Sequence, residues 1–130
     1  MKILGVLFFS LIISSFGYAA ETEKKISIGY PSVAAALEAL KARPDAHISV
    51  QQGWTIVDIN NGKEKTLWSF TPSNHPAYPA AIKRDILEKD GTIFIDMKAL
   101  CEAKKIDCDA LINEFEKLNE KISKRMQNGS

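Results

Sequence analysis

The chain has no cysteine before position 101 and only two in all, Cys101 and Cys108, so no thiol lies near the N-terminus to carry a lipid. It has two histidines, His47 and His75, too few for a zinc site unless carboxylates gather from scattered positions. Nor is there an excess of charge of either sign, since 17 Lys and Arg stand against 16 Asp and Glu. The basic residues come as pairs such as Lys24-Lys25, Lys104-Lys105 and Lys124-Arg125 with acids nearby. That pattern excludes the dense cationic footprint by which proteins hold nucleic acid or anionic membranes. No G-x-S-x-G, H-E-x-x-H, P-loop, G-x-G-x-x-G or C-x-x-C pattern occurs, which removes support for the enzyme classes that carry them. We expect no catalytic residue, no cofactor and no metal.

The one long apolar run stands at the N-terminus. Lys2 precedes Ile3 to Ile13, interrupted only by Gly5 and Ser10, and Gly17 and Ala19 satisfy the small-x-small cleavage rule. Residues 1–19 therefore read as a signal peptide cut after Ala19. The alternative, a retained anchor, needs about 20 apolar residues, and this core has about a dozen. A periplasmic or secreted protein without stable membrane insertion is expected. Cleavage leaves 111 of the 130 residues, enough for one domain with a modest core. We divide these into a flexible polar segment at 20–29, a single domain at 30–126 and a tail at 127–130.

An even number of cysteines in an exported chain favours a disulfide. On one continuous helix the seven-residue offset would hold the two Cα atoms about 10 Å apart, whereas a disulfide needs less than about 7 Å. The chain must then reverse between Cys101 and Cys108, near 104–107. A redox-active pair is the other reading, without the C-x-x-C spacing that lowers a thiol pKa.

The apolar pattern predicts an α+β domain. Ser32 is a good N-cap, and Val33, Ala36, Leu37 and Leu40 recur at helical spacing until Pro44, giving a helix over 32–43. From His47 the period becomes two, with Gln52-Gly53 as either a bulge or a tight turn. Asn61-Gly62 is a strong hairpin signal, and as the two turn residues they set Asp58 against Lys65 and Ile56 against Leu67. A strand over 64–70 follows. Residues 81–88 read as a strand, the alternative being a helix started by Pro79. As a strand, they turn at Lys89-Asp90-Gly91 into strand 92–96, with Ile86 facing Phe94 and Arg84 facing Asp96. The apolar character of 92–96 suggests a strand with neighbours on both sides. A short helix around 98–104 and a long one over 108–126, with Leu111, Phe115, Leu118 and Ile122 as its apolar stripe, complete the expectation. It is a helix, three or four antiparallel strands and a disulfide-stapled C-terminal helical hairpin, both helical parts lying on one face of the sheet.

One cluster invites a binding hypothesis. Trp68, Phe70, His75, Tyr78 and Arg84 flank a loop stiffened by Pro72, Pro76 and Pro79. Aromatic and Arg side chains are what binding hot spots favour, and stiff backbone loses less entropy on binding. Two readings stand: a recognition loop, or Trp68 and Phe70 as core residues with the prolines routing a crossover.

The segment Leu67-Trp68-Ser69-Phe70-Thr71-Pro72-Ser73-Asn74-His75-Pro76-Ala77-Tyr78-Pro79, with Lys83-Arg84, Leu100-Cys101-Glu102-Ala103 and Cys108-Asp109, resembles an uncharacterised family of small exported (periplasmic) bacterial proteins. The resemblance covers most of the chain after residue 19, and its specific part is the Trp-to-Pro79 segment. It implies an envelope setting in a Gram-negative cell and carries no activity, substrate or site residue with it. The function expected is non-enzymatic binding of another protein or an envelope component. The rivals are an inhibitor or immunity-type protein whose loop blocks an enzyme, and a small hydrolase or thiol-redox enzyme built around His75 or Cys101, which would place those two residues in one pocket.

Overall fold

The computed structural model describes residues 27–128; the expected signal peptide, its cleavage site and residues 20–26 lie outside the described residues. The elements run α1 (Val33–Lys41), β1 (Ala46–Gln51), β2 (Trp54–Asn60), β3 (Lys65–Phe70), β4 (Ala80–Lys89), β5 (Thr92–Cys101) and α2 (Lys105–Asn128). The strands form one antiparallel sheet in the order β1-β2-β3-β4-β5. Among the described residues there are five strands, not three or four. Gln52 (φ 51) and Gly53 (φ 83) are both left-handed, the conformation of a two-residue hairpin turn. Of the two readings of Gln52-Gly53, a bulge or a tight turn, it is the turn that forms, and the chain folds back on itself with Gln51 opposite Trp54. Residues 81–88 are strand, as expected.

Ser32 caps α1 by accepting a hydrogen bond from the Ala35 amide at 3.0 Å. The Val33 amide donates instead to Glu102 Oε1 at 3.1 Å, so the residue that follows β5 helps to start α1. The C-terminal helical hairpin does not form. Lys98 to Cys101 continue β5, opposite Lys83 to Ala80, and α2 is the single helix after them. The Cys101–Cys108 disulfide closes across the reversal at 102–104, with a Cα–Cα distance of 5.7 Å. It staples a strand end to the first turn of a helix.

Two registers differ from expectation. In β2–β3, Asn60 faces Lys65 and Asp58 faces Leu67. Asn61 precedes the turn, its Oδ1 accepting from the Lys63 and Glu64 amides at 3.0 and 2.7 Å, while Gly62 takes φ +86. This two-residue shift keeps every side chain on its face. In β4–β5, Asp90 (φ 54) and Gly91 (φ 78) are both left-handed and form a two-residue turn rather than a three-residue one. Ile86 then faces Ile95 and Arg84 faces Met97. A one-residue slip exchanges faces, so Asp96 lies on the side of the sheet opposite Arg84.

The helices cover opposite faces, not one. Val33, Ala36 and Leu40 of α1 pack with Ile28, Val57, Ile59, Trp68, Phe70 and Ala81. Leu111 and Phe115 of α2 pack with Ala77, Ala80, Ile82 and Met97. Ala81 and Ile82 are consecutive on β4, and consecutive strand residues point to opposite faces. The described residues thus form a helix, a sheet and a helix in three layers, and the first core residue among them is Ile28, ahead of the start expected at Tyr30.

Candidate functional site

The five residues singled out for partner binding are divided by the sheet. Trp68 and Phe70 are buried on the α1 face, their rings stacked at 6.0 Å, with Tyr30 at 5.9 Å and Lys83 Nζ at 5.7 Å from the Trp68 ring. Arg84 is buried on the α2 face, 8% exposed, its guanidinium 5.1 Å from the Phe115 ring. Burial holds its pKa below the ordinary arginine value. Nη1 lies 3.5 Å from Asn119 Oδ1, and Nε has no partner among the described residues. His75 and Tyr78 share the proline loop, where the Tyr78–Pro79 peptide is cis. His75 is half-buried: it meets Trp54 edge-on at 5.3 Å, and its Nδ1 accepts from the Ala77 amide at 3.0 Å. Tyr78 is 49% exposed. The loop braces itself through Pro72 O and His75 O, which accept from the His75 and Tyr78 amides at 3.0 Å each.

A concave feature lies elsewhere, along β5. Its place at the end of the strand order leaves one side of its backbone without a neighbour among the described residues. The direction of each group follows from antiparallel alternation. Glu102 donates to Pro79 O at 2.9 Å, so Glu102–Pro79 is a hydrogen-bonded pair, and so, two residues at a time, are Leu100–Ala81, Lys98–Lys83 and Asp96–Asp85. The amides and carbonyls of Ile93, Ile95, Met97, Ala99 and Cys101 then point outward.

A groove of about 740 Å³ runs along this edge over residues 97–101. On the α1 side its wall is Ser27, Ile28, Tyr30 and Pro31; on the α2 side it is Cys108, Ile112 and Glu116. The disulfide forms one end, and Cys101 Sγ lies 3.5 Å from the Ala77 carbonyl oxygen, so the groove and the proline loop meet there. Cys101 lines the groove and His75 does not. Along the α1 face of β5, Asp96 and Lys98 are 3.5 Å apart, both partly exposed, and nearer the hairpin tip Phe94 is 48% exposed.

Nothing matches. No family model fits the chain, and no curated protein or solved structure is similar to it. Among the described residues no group of three or more His, Cys, Asp and Glu is placed to hold a metal ion, and no helix is long and apolar enough to cross a membrane.

What the groove offers a ligand is main chain: donors and acceptors at two-residue intervals between walls that are largely apolar. Residue types carry no motif for that. The available signal was the run Thr92-Ile93-Phe94-Ile95, apolar enough to read as a central strand. Such a run on an edge is a template for another strand.

Proposed function

We propose that this protein is exported, non-enzymatic, and binds another polypeptide by accepting an extended strand along β5. The observation that carries the reading is the groove over Met97, Ala99 and Cys101, where outward main-chain groups lie between two walls. Strand addition of this kind takes its affinity from main-chain hydrogen bonds and its specificity from the flanking side-chain pockets. The Cys101–Cys108 disulfide supports export, because such bonds persist in oxidising compartments. The N-terminal signal pattern supports it independently.

A second reading places the partner on the proline loop, where Tyr78 is half exposed on a braced backbone. An amide spectrum recorded while arrayed extended peptides are titrated in separates the two. Edge binding shifts the Met97, Ala99 and Cys101 amides and fails in Ala99→Pro, which removes an outward donor while leaving the β4 ladder whole. Shifts confined to 74–78, abolished by His75→Ala with Tyr78→Ala, would move the site to the loop.

A further inference from the structure

The partner that best fits the β5 edge is a second copy of β5. This inference rests on the strand-addition reading and names the strand. We propose that two copies pair their β5 strands antiparallel about a two-fold axis at Met97, joining two five-stranded sheets into one.

The register follows from parity and charge. The outward groups of β5 belong to odd-numbered residues, so odd residues must face odd ones across the new pair and even must face even. A two-fold axis at Asp96 would set Asp96 against its own copy, and an axis at Lys98 would do the same with Lys98; like charges directly opposite are destabilising. An axis at Met97 sets Asp96 of each copy against Lys98 of the other, twice over. Both side chains lie partly exposed on the same face, available for that exchange.

Shape agrees with charge in this register. On the α1 face Phe94, 48% exposed, falls opposite Leu100, which lines the groove beside Ile28 and Tyr30. On the α2 face Ile95 falls opposite Ala99, and Ile93 opposite Cys101, large against small. The apolar half of one β5, at 93–97, thereby enters the walled half of the other, at 97–101, and the reciprocal contact is identical, as a two-fold interface requires. Five odd-numbered pairs would exchange two main-chain hydrogen bonds each. The same pairing explains why a strand of this apolar character can stand at an edge: in the dimer it is central, with a neighbour on both sides.

Sedimentation of the exported chain over a range of concentrations tests this. The wild type should show a monomer–dimer equilibrium. Asp96→Lys and Lys98→Asp, each placing like charges opposite at two points, should weaken it by about tenfold or more, and the double variant carrying both changes should recover it. Ala99→Pro should be monomeric while keeping the wild-type urea midpoint at a concentration where both are monomers. A wild type that stays monomeric at several hundred micromolar overturns the self-pairing; strand addition then stands or falls on the peptide titration, which is read from different signals. A dimer indifferent to both charge reversals, or surviving Ala99→Pro, places the interface elsewhere and overturns the proposal as well.

Discussion

The α1 face and the α2 face of the same sheet are closed by helices of nine and 24 residues, and what lies beneath them differs in kind. Under the short helix the core is aromatic and aliphatic: Trp68 stacks on Phe70, Tyr30 tilts against Trp68, and Leu40, Val57 and Ile59 are fully buried. The helix is held at its start by Ser32 and Glu102 and near its end by Arg43, which donates to Asp45 and Glu64. Under the long helix the apolar cluster is smaller, with Leu111, Ala80 and Ile82 at its centre, and it shares the space with Arg84 and Asn119. A covalent bond anchors that side. A short helix over large side chains is secured by packing and caps, whereas a long helix over small and charged ones draws on a staple.

If that contrast is right, the largest loss of stability should come from the α1 face. Trp68→Ala removes the ring around which Tyr30, Phe70 and Lys83 are arranged, and truncating a buried Trp costs about 3 to 5 kcal/mol. A urea midpoint lowered by less than the disulfide variant's would reverse the ranking of the faces. On the α2 face, replacing Cys101 and Cys108 together by Ser should cost roughly 2 to 3 kcal/mol in the chain-entropy model for a loop this short. Reduction of the wild type should lower its midpoint by a similar amount.

Arg84→Met sharpens the comparison from the other direction. Among the described residues no carboxylate pairs with the buried guanidinium, and replacing a buried charge by a hydrophobic side chain of similar size is commonly neutral or stabilising. We expect stability to rise by about 1 kcal/mol, read as a higher urea midpoint, partly offset by the lost contact with Phe115. A clear fall would mean that the Arg84 charge itself supports the α2 face.

The smallest effect belongs to the exposed ion pair beyond the end of α1. The Arg43 guanidinium holds the Asp45 carboxyl down at about 2, from an ordinary 3.8. A carboxyl with a lowered folded pKa contributes stability above its unfolded value and loses it as pH falls through the folded one. The difference between wild type and Asp45→Asn should therefore be constant at neutral pH and shrink between about pH 4 and pH 2. A difference unchanged across that window would show that the pair contributes nothing through its charge, as is common at surfaces.

Legibility in the sequence followed the range of the interaction. Ser32, Pro44 and the apolar spacing of Val33 to Leu40 announce α1, because a cap and a helical stripe are local facts. The disulfide could be argued from the spacing of two cysteines against helix geometry. Gln52-Gly53 could be read as a bulge or a turn and Asp90-Gly91 as part of a three-residue turn; each is a two-residue turn in which a non-glycine residue also takes positive φ, and turn length sets register. The error of one residue at Asp90-Gly91 moved Asp96 to the wrong face. For the candidate site the residue types pointed to the proline loop, since side chains can be read from a sequence and outward main-chain groups cannot.

The sequence by itself determined α1, the helical character of the C-terminal segment, the chain reversal forced by Cys101 and Cys108, the near-balance of charge and the absence of known catalytic motifs, because each depends on neighbours within a few residues or on composition alone. Only the tertiary structure decided that Trp68 and Arg84 lie on opposite faces, that the helices sandwich the sheet, and that β5 stands at its edge beside a groove. Those outcomes depend on strand order and register across the whole sheet, where each hairpin shifts the next, and on walls contributed by residues as distant as Ile28 and Ile112.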